Sequence, residues 1–182
     1  MQTKYSISTY DGSFFDFHNP TNFSFDIETI AHALSNICRY GGHSNRFYSV
    51  AEHSILVSEV VPAKLALCGL LHDASEAFVG DMPSPLKALC QSYRDIEDKV
   101  HEAICAQYNL PFPFPSDIKL ADKMVYRAER DQVTCVPDTL WHTEIAKAKV
   151  VVMCYPPEEA KFRFMERYRE LTEPRYTKTN GE

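Results

Sequence analysis

No two of the six cysteines are spaced as a CxxC pair. Cys38, Cys68, Cys90, Cys105, Cys135 and Cys154 stand alone, several of them inside apolar helical runs. They read as small buried hydrophobes of a reducing compartment rather than as bridges or zinc ligands. Long apolar runs are lacking too. The strongest stretch, around Leu65 to Leu71, falls far short of the ~20 residues that a membrane span needs. The balance of charge is not basic: a net charge of −6 argues against a nucleic-acid polymer as partner, since such a partner calls for a basic face. It leaves room for a small anion held by a metal and a few local cations. Met1 to Tyr5 show no charged start followed by an apolar block, so no secretory signal is read. These absences predict a cytoplasmic protein with no membrane partner.

What is present suits one domain. The 182 residues are 45% hydrophobic, enough for a full core, and neither repeats nor low-complexity segments divide residues 1–182. Residues 1–25 are aromatic and turn-rich. Asp11-Gly12 lies between short alternating runs, which predicts a short hairpin or an extended arm. Residues 26–172 carry helical periodicity. Asp26 is placed to cap a helix with Ile27, Ile30, Ala31, Leu34 and Ile37 on one face. Ser49 and Glu52 form a capping-box pattern for the next. Further helices are expected over 63–78, from Ser84 as a cap, over 94–108, from Ser116 as a cap to about 135, and from Pro157 to about 171. Pro111 to Pro115 read as a stiff connector. Trp141 is expected to pack, and 173–182 to form a loose polar tail. The fold class is all-α: a single-domain helical bundle with a short N-terminal hairpin or arm.

Within that frame, acids and imidazoles occupy apolar settings. His72 and Asp73 follow Leu65, Leu67, Leu70 and Leu71, and a buried Asp73 is costly unless paired or metal-bound. Glu76 is four residues from His72 and three from Asp73, on the same face of a continuous helix. His53 lies in the first turns of the preceding helix. Asp122 sits among Ile118, Ala121, Met124 and Val125. Two imidazoles and two carboxylates make a mixed N/O set suited to Zn, Co, Mn, Ni or Fe.

Tyr48-Ser49-Val50-Ala51-Glu52-His53, then Leu71-His72-Asp73-Ala74-Ser75-Glu76, then Gly80-Asp81-Met82-Pro83-Ser84-Pro85-Leu86-Lys87, then Leu120-Ala121-Asp122 occur in an order that resembles the HD-domain phosphohydrolases. The resemblance is to the small bacterial and phage branch, which holds 5′-deoxynucleotidases and phage dATP triphosphohydrolases, and it spans nearly the whole chain. It implies metal ligands at His53, His72, Asp73 and Asp122. It implies Glu76 and Asp81 as catalytic residues, the first on the attacking water and the second near water and sugar. Arg39 and Lys87 would hold phosphate, Tyr40 would lie against the deoxyribose, and His43 would line the mouth. A second Mg or Mn could accompany the substrate phosphates. The partner is a deoxynucleotide, and the assembly a homo-oligomer, dimer or hexamer.

The preferred expectation is hydrolysis of dATP to deoxyadenosine and triphosphate, with Arg46, Lys119 and Lys123 as candidate cations for the outer phosphates. The alternative is a 5′-deoxynucleotidase acting on a dNMP. An alarmone hydrolase fits less well, because such enzymes usually carry two adjacent acids where this chain has Glu76-Ala77. A non-enzymatic helical module is the remaining class.

Overall fold

The computed structural model describes residues 2–136 and 144–173. The expectations for Trp141 and for the tail beyond 173 lie outside the described residues. The hairpin is formed: β1 (Ser6–Ser8) pairs antiparallel with β2 (Phe14–Asp16). Its turn is closed by Asp11, whose carboxylate accepts from Thr9 Oγ1 and from the Ser13 N–H, and by Gly12 at φ +82°, a conformation that glycine adopts without a Cβ penalty. Phe15 on β2 is fully buried and packs against Phe17, Phe23, Phe25 and Phe78. The arm thus plugs one end of the helical core.

Eight α-helices follow among the described residues: α1 (Ile27–Asn36), α2 (Val50–Val60), α3 (Ala66–Leu71), α4 (Glu76–Val79), α5 (Ser84–Lys87), α6 (Gln91–Gln107), α7 (Ser116–Val133) and α8 (Pro157–Thr172). Asp26 caps α1, accepting from the Thr29 N–H at 2.9 Å, and Ser49 caps α2, accepting from the Glu52 N–H at 3.1 Å. Ser84 and Ser116 do not cap. Each is the first residue of its helix, with a proline at the cap position. The long amphipathic helix begins at Gln91 rather than Arg94, and α7 ends at Val133 rather than Cys135. Cys68 and Cys105 are buried as expected, whereas Cys135 is exposed.

Helix α2 is the centre of the bundle, touching α1, α3, α7 and α8. Seen from its sequence this follows from Val50, Ala51, Leu56 and Val57 lying all around its circumference, which is the pattern of a helix with no solvent face. Its approach to α3 is close because Gly69 has no side chain: a Cβ there would meet Ser58 Cα and a Val61 methyl at 3.0 Å. That contact is what brings the His53 and His72 rings to 5.2 Å.

Two further local expectations need correction. The capping box is only half made. Glu52 does not reach back to its own helix end. Its Oε1 accepts from the N–H groups of Met153 (2.7 Å) and Cys154 (3.1 Å), and its Oε2 from Tyr155 (2.9 Å). The carboxylate thereby pins the segment before α8 to the central helix, a bond across about a hundred residues that no local pattern encodes. Burial pushes the Glu52 carboxyl above its usual range while these three donors pull it back. Replacing Glu52 with Ala strands three donors, and the expected loss is about 2–4 kcal/mol, read as a lower urea midpoint in equilibrium unfolding. An unchanged midpoint would show that the staple contributes nothing.

The second correction is to the helix expected over 63–78, which is broken at its centre. His72 Nδ1 donates to the Gly69 carbonyl at 2.8 Å, an acceptor that a continuing α-helix would reserve for the Asp73 N–H. The next backbone bonds reach back three residues, from Ala74 to Leu71 and from Glu76 to Asp73. Glu76 therefore starts a separate short helix. In such tighter winding residues three apart share a face, so Asp73 and Glu76 still point the same way.

Candidate metal centre

Three helices and one turn deliver the site. His53 from α2, His72 at the end of α3 and Asp122 from α7 each offer a ligand atom, and these atoms lie within 4.8 Å of one another. His53 Nε2 is 3.2 Å from Asp122 Oδ1 and 3.6 Å from Asp73 Oδ2, and His72 Nε2 is 3.2 Å from the same Asp73 oxygen. Donor atoms about 2.1 Å from a shared cation sit roughly 3.0–3.4 Å apart in octahedral or tetrahedral arrangement, so these spacings fit one ion.

The tautomers fit as well. His53 Nδ1 is bonded to Glu129 Oε2 at 2.9 Å and His72 Nδ1 to a backbone carbonyl. With the proton held on Nδ1, each Nε2 presents its lone pair. Both Nε2 atoms are buried and neither has a hydrogen bond of acceptable geometry. Burial and the Arg39 charge lower the proton affinity of His53, but Glu129 and Asp122 outweigh them and raise its pKa to about 9. The pocket attracts positive charge, which a divalent cation supplies. Asp73 and Asp122 are both held below the usual carboxylate range: burial raises each, but neighbouring imidazoles lower it further.

Around this cluster the other expected residues separate into two groups. Glu76 is 6% exposed and its Oε2 has no partner. Burial, then Asp73 and Asp81, push its carboxyl well above the usual range. Asp81 is half-buried and raised by burial, with Arg39 pulling it down. Arg39 lies at the exit of α1. Its Nε and Nη2 donate to Glu129 Oε1 at 3.2 and 2.8 Å, while Nη1 is 3.7 Å from Asp73 Oδ2. Lys87 donates to Glu97 at 2.7 Å, and its charge is felt at Glu76 and Asp81. Tyr40, at φ +58°, donates to Glu129 Oε1 at 2.9 Å and stacks against Tyr126 with centroids 6.0 Å apart. A left-handed backbone at a non-glycine residue is sustained only by its surroundings.

The second group stands apart. His43 is exposed and makes none of the polar contacts of the cluster among the described residues. Lys119 and Lys123 are exposed on α7, and the charge of Arg46 acts on Cys154.

Sequence reading missed Glu129, a fully buried carboxylate that bonds Arg39, Tyr40, Tyr48 and His53. A signal for it existed. It lies seven residues after Asp122, on the same apolar face between Val125 and Val133, and is as anomalous there as Asp122. His101 was also passed over. It is packed against Phe114, its Nε2 is buried without a partner, and burial lowers its pKa to about 4.

A helical bundle carrying imidazole pairs and carboxylates on this central helix and its neighbours defines a hydrolase of the HD phosphohydrolase type. Residues 15–121 match the model of the YfbR-like 5′-deoxynucleotidases. The chain is 37% identical to the uncharacterized protein YfdR of Escherichia coli K12, over 93% of its own length and 97% of that protein's. It is 31% identical to the uncharacterized protein RCAP_rcc00048 of Rhodobacter capsulatus, over 86% and 90%. It is 30% identical to the 5′-deoxynucleotidase PBPRA2627 of Photobacterium profundum, over 54% of this chain and 45% of that one, so it spans under half of that relative. The chain belongs to the YfbR-like 5′-deoxynucleotidase family of HD-domain phosphohydrolases. Among the described residues, no helix is long and apolar enough to cross a membrane.

Proposed function

We propose that this protein is a 5′-deoxynucleotidase that converts a deoxynucleoside monophosphate to the deoxynucleoside and orthophosphate, using a divalent transition metal held by His53, His72, Asp73 and Asp122. The observation that carries the reading is the pair of buried Nε2 atoms without hydrogen bonds, facing Asp73 and Asp122 beside the partnerless Glu76 oxygen. The preferred expectation from sequence was a dATP triphosphohydrolase. The family match and the name of the Photobacterium relative favour the alternative. So does the local charge. The charges of Arg39 and Lys87 both act on Glu76 and on Asp81, a pair suited to one phosphate, whereas Arg46, Lys119 and Lys123 lie elsewhere or face solvent.

When bound, the metal lowers the pKa of a water and polarises a phosphoryl oxygen. The remaining steps belong to the chain. Glu76 accepts the proton of the attacking water as its oxygen bonds to phosphorus. Arg39 spends Nε and Nη2 on Glu129 and so keeps Nη1 for a phosphate oxygen, and Lys87 has two donors left beyond Glu97. The bond from phosphorus to the 5′ oxygen breaks, and that oxygen leaves with a proton from Glu76 or solvent. Asp81 lies beside the water and sugar, and the Tyr40–Tyr126 pair offers the deoxyribose an apolar wall. His43, exposed at the end of the Gly41-Gly42 turn, lines the mouth. Assembly as a homo-oligomer in the cytoplasm belongs to the same reading.

The test is a product assay with Co²⁺, Mn²⁺, Zn²⁺ or Ni²⁺ and a panel of dNMPs and dNTPs. Orthophosphate from dNMPs is expected. Tripolyphosphate from dATP without turnover of dNMPs would restore the other reading, and neither product with any metal would sink both.

A further inference from the structure

We propose that Glu129 is the positioning residue of this site, a single carboxylate that fixes His53 as a metal ligand through Oε2 and aims Arg39 at the phosphate through Oε1. The proposal rests on the functional reading above, but its first test needs no substrate.

Glu129 is fully buried and reaches the site from α7, two turns beyond Asp122. Its two oxygens serve different neighbours. Oε2 accepts from His53 Nδ1 at 2.9 Å and from the Tyr48 hydroxyl at 2.6 Å. Oε1 accepts from Arg39 Nη2 at 2.8 Å, from Arg39 Nε at 3.2 Å and from the Tyr40 hydroxyl at 2.9 Å. A carboxylate has about four lone-pair sites, so this one is saturated. Its donors come from four places: the exit of α1, the turn after it, the residue before the α2 cap, and α2 itself.

A buried ion pair made only for stability is readily replaced by apolar packing. Here two of the groups tied to the carboxylate, His53 and Arg39, have their other polar face on the site. His53 turns Nε2 toward Asp73 and Asp122, and Arg39 turns Nη1 toward Asp73. The imidazole must carry its proton on Nδ1 for Nε2 to coordinate, and an acceptor-only partner enforces that choice. The guanidinium must present one edge outward, and two bonds to one oxygen hold the opposite edge inward. The metal side and the phosphate side are therefore aligned by the same group.

Glu129→Gln separates this from a packing role because it keeps the shape and changes the proton pattern. Three donors from Arg39 and Tyr40 claim the amide oxygen. The NH₂ then faces His53 Nδ1, which must become an acceptor and move its proton to Nε2, where it blocks a metal. The expected result is a loss of about 10–100-fold in Co²⁺ affinity, measured by calorimetric titration of metal-free protein without nucleotide. At saturating Co²⁺ the KM for dNMP is expected to rise several-fold. Co²⁺ affinity within twofold of wild type overturns the first half of the proposal, and an unchanged KM overturns the second. A purely structural role would lower the melting temperature and leave Co²⁺ affinity intact in the folded range.

If Glu129→Gln does not fold, ¹⁵N imidazole spectra of the zinc-loaded wild type decide the matter. A proton on Nδ1 of His53 is expected, and its absence overturns the assignment. The cobalt titration is independent of turnover, so a failed dNMP assay in the wild type counts against the functional reading and not against Glu129.

Discussion

Asp73→Ala is expected to cut turnover of dNMP by more than about a hundredfold while the protein stays folded. The comparison that sets the scale is that partners merely bonded to a metal ligand are worth ~10–100-fold each, and Asp73 is proposed as a ligand itself. Its Oδ2 lies near both imidazole Nε2 positions, at 3.2 and 3.6 Å, and it also faces Arg39. Alanine removes the carboxylate and leaves two buried imidazoles with one acid, Asp122, so metal content per chain is expected to fall in step with activity. The side chain is partly exposed, so little packing is lost, and the melting temperature of the metal-free variant is expected to stay within a few degrees. The two measurements are dNMP turnover with added Co²⁺ and metal stoichiometry after dialysis. Retained turnover would remove the metal mechanism. Lost turnover with a preserved fold would remove the reading of the chain as a non-enzymatic helical module.

Glu76→Gln is expected to behave differently, and the contrast is informative. General acid–base groups contribute typically ~10²–10⁴-fold, so kcat is expected to fall within that range. Metal stoichiometry is expected to be unchanged, because the ligand set contains no Glu76 atom. KM for dNMP should move little, since a neutral amide of the same shape sits where the carboxyl was. The structural basis is the placement of the group. Glu76 is buried on the short α4, has an oxygen without a partner, and lies next to Asp73 and Asp81. A variant with kcat within tenfold of wild type would show that the proton goes elsewhere, and Asp81 would be the next candidate to replace.

Much of this molecule could be read locally. Asp26 and Ser49 cap as expected because an N-cap needs only a short polar side chain and an N–H three residues on. Asp11-Gly12 makes a hairpin turn because a glycine supplies the positive φ that the turn requires. His53, His72, Asp73 and Asp122 stood out because polar groups in apolar helical settings are costly without a partner. The failures share a cause. Glu52 matched a local motif, yet its carboxylate is claimed by backbone a hundred residues away. The helix expected over 63–78 is broken because a side chain takes a carbonyl that the helix would use. Glu129 carried the same sequence signal as Asp122, but its significance lies in five donors on four residues from other elements.

By itself, then, the order of residues determined where helices begin, which faces are apolar and which ionisable groups those faces would have to bury, since each of these depends on neighbours within one or two turns. The tertiary structure alone decided which of those groups meet. Arg39, His53, Asp73, Asp122 and Glu129 are spread over ninety residues, and their meeting depends on how closely α2, α3 and α7 pack. At Gly69 the missing side chain lets two backbones touch, and shared cation geometry follows from that approach, a distance that no periodicity in the chain can encode.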